Sequence, residues 1–507
     1  MTDVTFPPLR RESLGHLAYL HRVLTGAEGE TPDLGRWDGF YVPRADAMNF
    51  GLRFQLAFAA TAVAALGLRT PAYTRPYVAA LDAAVQRMLD VRAWGYWRPA
   101  PQAAGGDKQP AGHVALLLGG HTRPAGPLPP PADPVVQDNV QFSGHLGTML
   151  GLYERAGGDQ RYDAGFVLAD PESGVAFPYT HSAVIERIVA QMRANPFHGV
   201  ACEPACAYVP CNNHAMTATA LHDATHGTTY AAANADWLDW VRRKMVLRGP
   251  AARGLFGACY LRDLHLTAPV AFQFTDSWGL AFLLPFDPAL VRKLYPRFRK
   301  RMSRAAAGLH VGSAPICEKM EISDVALNTA FGLIVARGVG DTRTADRLAA
   351  YAAATCSPQW DGSVLRYAGA PRTLHSTALY ALAELVDGEG LLLQRLFHEP
   401  RDPTLVAQPC LDRVAPGGSD SSATLAVGVS EAHYTAASRT LTLGLSPLGA
   451  EPTGETRVVL ECARVPAMHQ VRQDGVPVAG WRHAAETGAL HIPVTVRTVT
   501  RLEVQLA

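Results

Sequence analysis

Residues 202–214 read CEPACAYVPCNNH, three cysteines and a histidine within thirteen residues. Side chains of these types support several chemistries. Cys202, Cys206, Cys211 and His214 make a sensible set of four zinc ligands. Their spacing is not that of a short zinc knuckle, however, and no second cysteine–histidine pair lies nearby. Paired cysteines also form disulfides, and a buried cysteine packs as a small hydrophobe. A thiol transfers protons as well, because its ordinary pKa of about 8.5 lies close enough to neutrality to work in either direction. The stretch alone leaves these readings open.

The chain that must position these groups has 507 residues, 48% of them apolar and 18% charged, with a net charge of +1. That length exceeds one ordinary core, which predicts two domains or one large helical core with an appendage. No basic run is interleaved with aromatics, which argues against nucleic-acid partners. The longest charge-free stretch near the N-terminus, FQLAFAATAVAALGL (54–68), is shorter than the roughly 20 residues of a membrane span. The opening MTDVTFPPLRRESLGH has no apolar signal-peptide core. Eight cysteines are too sparse for a disulfide framework, so the expectation is a cytoplasmic globular protein with reduced thiols.

From about residue 12 to 396 the pattern is helical, in segments such as 49–68, 74–91, 143–158, 181–196, 215–227, 230–246, 275–286, 287–308, 322–340, 342–356 and 373–388. Apolar residues recur there at three- and four-residue spacing, with Gly, Asn or Pro at the ends. Eleven or twelve such helices suit a mainly α fold, an (α/α)6 toroid whose inner helices surround a funnel. After HEPRDP (398–403) the alternation has period two, and Asp474-Gly475 stands where a two-residue hairpin turn would. The expected division is a toroid over 1–400 and a small antiparallel β-sandwich over 401–507, the latter a support domain. A Pro/Gly-rich insertion between Arg98 and Pro134, with VALLL inside it, is either a lid or a plain excursion.

The run ANPFHGVACEPACAYVPCNN (194–213), followed by THGTTYAAANADWLDW (225–240), resembles the corresponding part of the linalool dehydratase-isomerase family. The similarity continues through LAYL (17–20), RAWGYW (92–97) and DNVQFSGHLGTMLGLYERAGGDQRYDAG (138–165). Downstream it includes TDSWGLAF (275–282), DPALVRKLYPRFRK (287–300), AFGLIVARGVGD (330–341) and LRYAG (365–369). It spans roughly residues 15–390 and skips the insertion. The resemblance implies an (α/α)6 barrel and a lyase or isomerase (dehydratase, hydratase or cyclase) acting on an unsaturated, terpenol-like alcohol without metal or cofactor. Two cysteines and a histidine surround the terpenol in that family, and they match Cys202, Cys211 and His145. Cys206 and His214 fall where the family has neither residue type, which speaks against zinc.

Dehydrating an allylic alcohol needs an acid at the hydroxyl, a base at a neighbouring carbon, and shelter from water. A thiol lines an apolar pocket at little desolvation cost, whereas an unpaired carboxylate is expensive to bury. Cys202 and Cys211 are therefore expected to move protons at carbon and His145 to serve the hydroxyl. Glu203 is expected to orient the loop, and Gln141, Phe274 and Trp278 to line the pocket.

The match also has departures. The family's catalytic aspartate, contributed across a subunit interface, falls on Leu24 here. Asp38 and Tyr41 in WDGFY (37–41) are candidates to replace it and its companion tyrosine from a shifted position. Two further family tyrosines fall on Phe50 and Phe274, while Tyr208 stands in place of a phenylalanine. Asp276 and Asp324 stand in place of small uncharged residues, either as new acid–base groups or as helix caps. These changes predict a related proton transfer on another alkenol or isoprenoid-like alcohol. The family's homo-oligomer is implied only through interface residues that differ here. Two other readings stay in play: a carbohydrate-active enzyme built on Asp138, Asp276 and Asp324, and a scaffold whose thiols merely pack.

Overall fold

The computed structural model describes residues 7–26, 51–97, 130–202, 206–248, 254–319, 323–371, 373–388, 390–416, 426–450 and 455–507. Asp38, Tyr41, Phe50, Glu203 and most of the 98–134 insertion lie outside them.

Twelve helices of eight or more residues occur among the described residues: α1 (Arg11–Thr25), α2 (Leu52–Gly67), α3 (Arg75–Leu89), α4 (Val140–Ala156), α5 (His181–Ala194), α6 (Val209–His226), α7 (Gln273–Leu283), α8 (Pro288–Lys300), α9 (Val325–Gly338), α10 (Thr342–Thr355), α11 (Thr373–Leu385) and α12 (Leu391–His398). They are of two kinds. In α2, α4, α6, α7, α9 and α11 an unbroken run is buried, for example Arg53–Leu66 and Val140–Glu154. A helix buried on every side must have neighbours all round. The others show a single stripe, as in α3, where Tyr77, Ala80, Leu81, Ala84, Val85 and Met88 are the buried residues. The six fully buried helices pack in a cycle: α2 on α4, α4 on α6, α6 on α7, α7 on α9, α9 on α11, and α11 back on α2.

The sequence reading places the start of α6 too late. The helix begins at Val209, six residues before the expected 215, with Pro210 in its first turn. Proline is suited to that position, since its missing N–H would have no intrahelical partner there. Cys211 and His214 are therefore helical residues. At the other extreme, α8 ends at Lys300 and gives way to the hairpin Ser303–Ala305/Gly308–His310, so the expected 287–308 helix is shorter.

The C-terminal strands are β1 (Cys410–Pro416), β2 (Val427–Thr435), β3 (Thr440–Pro447), β4 (Thr456–Ala463), β5 (Met468–Gln473), β6 (Val476–Pro477), β7 (Arg482–Ala484), β8 (Ala489–Val496) and β9 (Thr500–Leu506). They form two antiparallel sheets, ordered β1-β4-β8-β7 and β2-β3-β9-β5-β6. Leu460 and Ile492 of the first sheet join Leu443 and Val504 of the second in one core, separate from that of the helices. Asp474 and Gly475 both take positive φ between β5 and β6, as a hairpin turn of this type requires. The strands are fastened to the helical part by Leu9 N–H to Ser430 O (2.8 Å), Ala72 N–H to Ala432 O (3.0 Å) and Leu411 N–H to Ala72 O (2.8 Å). No described helix is long and apolar enough to cross a membrane.

Candidate active site

Phe58 on α2 is where the six buried helices meet. Its ring lies 5.9 Å from His145 of α4, 5.9 Å from His214 of α6 and 5.7 Å from Trp278 of α7. It is also 5.6 Å from Phe331 of α9 and 5.4 Å from His375 of α11. These residues all fall within the first two turns of their helices. They form an aromatic floor.

Closer to the helix starts lies a polar rim. Arg53 of α2 is buried, with its guanidinium 3.9 Å from the Tyr96 ring and 4.5 Å from that of Phe54. It donates to Gln141 Oε1 of α4 (2.9 Å), and the Gln141 amide approaches the Cys202 carbonyl at 3.4 Å. Cys202 and Cys211 are free thiols with sulfurs 3.2 Å apart, Cys202 donating. Asn212 holds this geometry. Its amide accepts from Val200 N–H (2.7 Å) and donates to Val200 O (2.9 Å) and Tyr208 O (3.1 Å), clamping the segment before Cys202 onto the first turn of α6.

His145 owes its place to close approach of α4 and α6. A Cβ on Gly144, Gly147 or Gly151 would come within 3.1 Å of Ala215, 2.9 Å of Ala218 or 2.6 Å of Leu221. With no side chain there, the helices close up and the His145 and His214 rings sit 3.9 Å apart. Neither nitrogen of His145 has a hydrogen-bond partner among the described residues. Burial, followed by the neighbouring His214, Arg53 and His375, holds its pKa well below the usual histidine value. His145 is a neutral imidazole. His214 is likewise kept neutral by burial, its pKa lowered to about 3, and its Nε2 accepts the Trp278 indole N–H at 3.0 Å.

Four of the expected site residues thus share one neighbourhood with His145: Cys202, Cys211 and Gln141 on the rim, and Trp278 in the floor, its ring 5.5 Å from Phe274. Tyr208 directly precedes α6, half-buried against the core. The aspartates are placed otherwise. Asp276 is fully buried and accepts from Leu255 N–H, Phe256 N–H (3.0 Å) and Arg301, so it anchors the 254–256 segment. Burial raises its pKa against the opposing pull of Arg301 and the two amides. Asp324 caps α9 by accepting from Leu327 N–H at 2.7 Å. Asp138 pairs with Arg262 at 3.5 Å. The carboxylates required by a carbohydrate-cleaving centre are thus individually committed to structural partners. Nor do the four residues of the zinc reading converge. Cys206 lies in a two-residue strand paired with Leu261, and the one group of three ligand residues within reach of a common ion, among the described residues, is elsewhere.

Arg53, His214 and His375 were not selected as site residues from the sequence. Arg53 carried a signal, being the only charge in residues 49–68. His214 entered only as a candidate zinc ligand and His375 not at all, because their neighbours come from helices distant in sequence.

The model of a protein family described as linalool dehydratase/isomerase matches residues 53–373. That span opens in α2, takes in the thiol pair, His145 and the aromatic floor except His375, and stops at the start of α11, short of the C-terminal sheets. With well over half its length so matched, the chain belongs to the linalool dehydratase/isomerase family.

Proposed function

We propose that the helical part is an (α/α)6 toroid supported by a β-sandwich, and that its funnel catalyses proton-transfer chemistry on an unsaturated, isoprenoid-like alcohol. The cyclic packing of α2, α4, α6, α7, α9 and α11 supports the toroid. The observation that carries the function is the thiol pair: two buried cysteines within the family match, with sulfurs 3.2 Å apart and not joined as a disulfide.

In this reading the substrate hydrocarbon lies on the floor of Phe54, Phe58 and Trp278, and its hydroxyl hydrogen-bonds to His145. An acid on the rim gives a proton to the hydroxyl, the C–O bond breaks with its electron pair on oxygen, and water departs. The remaining allylic cation faces aromatic rings, whose π faces attract positive charge. A base then takes a proton from the adjacent carbon and the C–H electrons form the new double bond. Two thiols in contact suit this exchange: one gives its proton to the hydroxyl, the thiolate so formed is re-protonated by its neighbour across the 3.2 Å contact, and the neighbour's thiolate takes the proton from carbon, which returns both to thiols that are not costly to bury. His145 does not supply the acid, because its neutral form dominates. Return of water to the other end of the allyl system gives isomerisation through the same groups.

The test is turnover of a panel of tertiary and primary allylic alcohols by the purified chain, kept reduced and without added metal, with alkene and isomeric alcohol read by gas chromatography. Products are expected from isoprenoid members of the panel and are lost in Cys202→Ala and Cys211→Ala variants that keep the wild-type circular dichroism spectrum. Unchanged turnover in both variants refutes the thiol mechanism.

A further inference from the structure

We propose that His181, His222 and His226 form a binding site for a divalent transition-metal ion of the zinc class, at the opposite end of α6 from the thiols. The inference is independent of the reaction proposed above. His222 and His226 are four residues apart in the last turns of α6, which puts both rings on one helix face, the arrangement by which helical histidine pairs chelate zinc. His181, the first residue of α5, brings its ring 4.9 Å from His222 and 5.4 Å from His226. One ring nitrogen from each residue lies within 4.8 Å of the other two.

The surrounding hydrogen bonds fix the rings as metal sites generally do. Glu154 of α4 accepts from His181 Nδ1 (3.1 Å) and His226 Nε2 (2.7 Å). The Thr228 hydroxyl gives its hydrogen to Asp223 (2.6 Å) and therefore accepts from His222 Nδ1 at 2.8 Å. Each ring is thus protonated on the outer nitrogen, leaving a lone pair on His181 Nε2, His222 Nε2 and His226 Nδ1. His181 is fully buried, and its Nε2 has no hydrogen-bond partner among the described residues. His222 Nε2 meets the Ser182 hydroxyl at 3.1 Å. Asp163 Oδ2, 3.9 Å from His226 Nδ1, offers an oxygen as a fourth ligand.

Charge points the same way. The site holds two carboxylates, Glu154 and Asp163, beside three imidazoles and the C-terminal end of α6, where positive charge is favoured. Imidazole with carboxylate suits zinc, nickel, copper and iron(II) over calcium or magnesium. Asp163 and His226 are 29% and 13% exposed, which gives an ion a way in from solvent. Bound there, the ion ties α4, α5 and α6 together, about 22 Å along α6 from Cys211 (fifteen residues at 1.5 Å rise).

The test uses the full chain, treated with chelator, dialysed and titrated with Co²⁺, then competed with Zn²⁺. The wild type is expected to take one equivalent of cobalt, with visible d–d absorption and without the thiolate-to-cobalt charge-transfer band that a cysteine site would give. His222→Asn and His226→Asn should each weaken binding at least tenfold. Glu154→Gln, which touches no metal, should weaken it by about 10–100-fold. Cys202→Ser combined with Cys211→Ser should leave it unchanged. Should the histidine variants not fold, X-ray absorption of the zinc-loaded wild type decides, with imidazole scattering expected. Absence of saturable binding in the wild type, sulfur in the metal's coordination shell, or undiminished affinity in folded His222→Asn and His226→Asn would overturn the proposal.

Discussion

Replacing His145 with leucine distinguishes an imidazole kept for chemistry from one kept for packing. Leucine fills a similar volume and brings no polar atom. The native ring buries two nitrogens without a partner among the described residues, and each such group costs about 1–3 kcal/mol. Removing both recovers about 2–6 kcal/mol. Against this stand the ring contacts to Phe54, Phe58 and His214, each worth about 0.5–1.5 kcal/mol as aromatic pairs. The two ranges nearly cancel, so the variant should lie within about 2 kcal/mol of wild type, whereas ordinary core truncations cost about 2–5. The acid dependence gives a second reading. His145 and His214 have folded-state pKa values below the unfolded one, near 6.5. Below that pH the unfolded chain binds protons that the folded chain refuses, so stability is full above it and is lost as pH falls. Each histidine contributes about 1.4 kcal/mol per pH unit to that loss. His145→Leu should therefore show a slope shallower by that amount in urea unfolding between pH 6 and pH 4. Turnover of an allylic alcohol should fall by about 10²–10³-fold, the loss expected for one hydrogen bond to the reacting oxygen. A destabilisation above about 3 kcal/mol at neutral pH, an unchanged acid slope, or retained turnover would each refute the reasoning.

Three further perturbations test other parts of the site. Cys202→Ser and Cys211→Ser should each lower turnover by about 10²–10⁴-fold, and the double variant hardly further, because groups acting as a unit are not additive; additive losses in a double-mutant cycle would argue against a shared proton. Asp276→Asn should cost about 3–5 kcal/mol in denaturant unfolding by breaking a buried ion pair and leaving the Leu255 and Phe256 amides poorly matched. A stability-neutral Asp276→Asn that abolishes turnover would return this residue to the chemistry. Gly151→Ala should destabilise by about 1–3 kcal/mol, since its Cβ would meet that of Leu221 at 2.6 Å; an unchanged unfolding midpoint would mean that α4 and α6 are not in tight register.

The fully buried helices were legible in sequence because they are apolar on all sides, as in FQLAFAATAVAALGL, and the others because their apolar residues repeat helically. The DG turn at 474–475 was legible because only small or Asn/Asp residues take positive φ readily. The start of α6 was hidden, since a cysteine- and proline-containing run shows neither periodicity nor an N-cap hydrogen bond. The stacking of His145 on His214 was hidden for another reason. It depends on three glycines of α4 meeting residues some seventy positions later, and local patterning carries no such information. Asp276 shows the same limit: its types of use, acid or anchor, differ only in whether Arg301 and two backbone amides reach it. The resemblance supplied Cys202, Cys211 and His145 as a set, but not the neutral state of the histidine.

That neutral state constrains the chemistry more than any single distance. A solvent-exposed histidine alternates between acid and base near neutrality, and the same pocket with a water-filled floor would allow His145 to protonate the leaving hydroxyl. Here Phe54, Phe58 and Trp278 exclude water from the ring, while Arg53 adds positive charge nearby. Both effects act against imidazolium. In the proposed reaction the ring orients an oxygen by hydrogen bonding, and the proton comes from the rim. The first turns of α2, α4 and α6 carry Arg53, Gln141 and Cys211 on that rim, and helix N-termini favour electron-rich groups such as a departing oxygen. A hydrocarbon cation is favoured instead by the aromatic faces below. The rim and floor thus suit opposite ends of a breaking C–O bond, which is the charge separation that loss of water from an allylic alcohol creates.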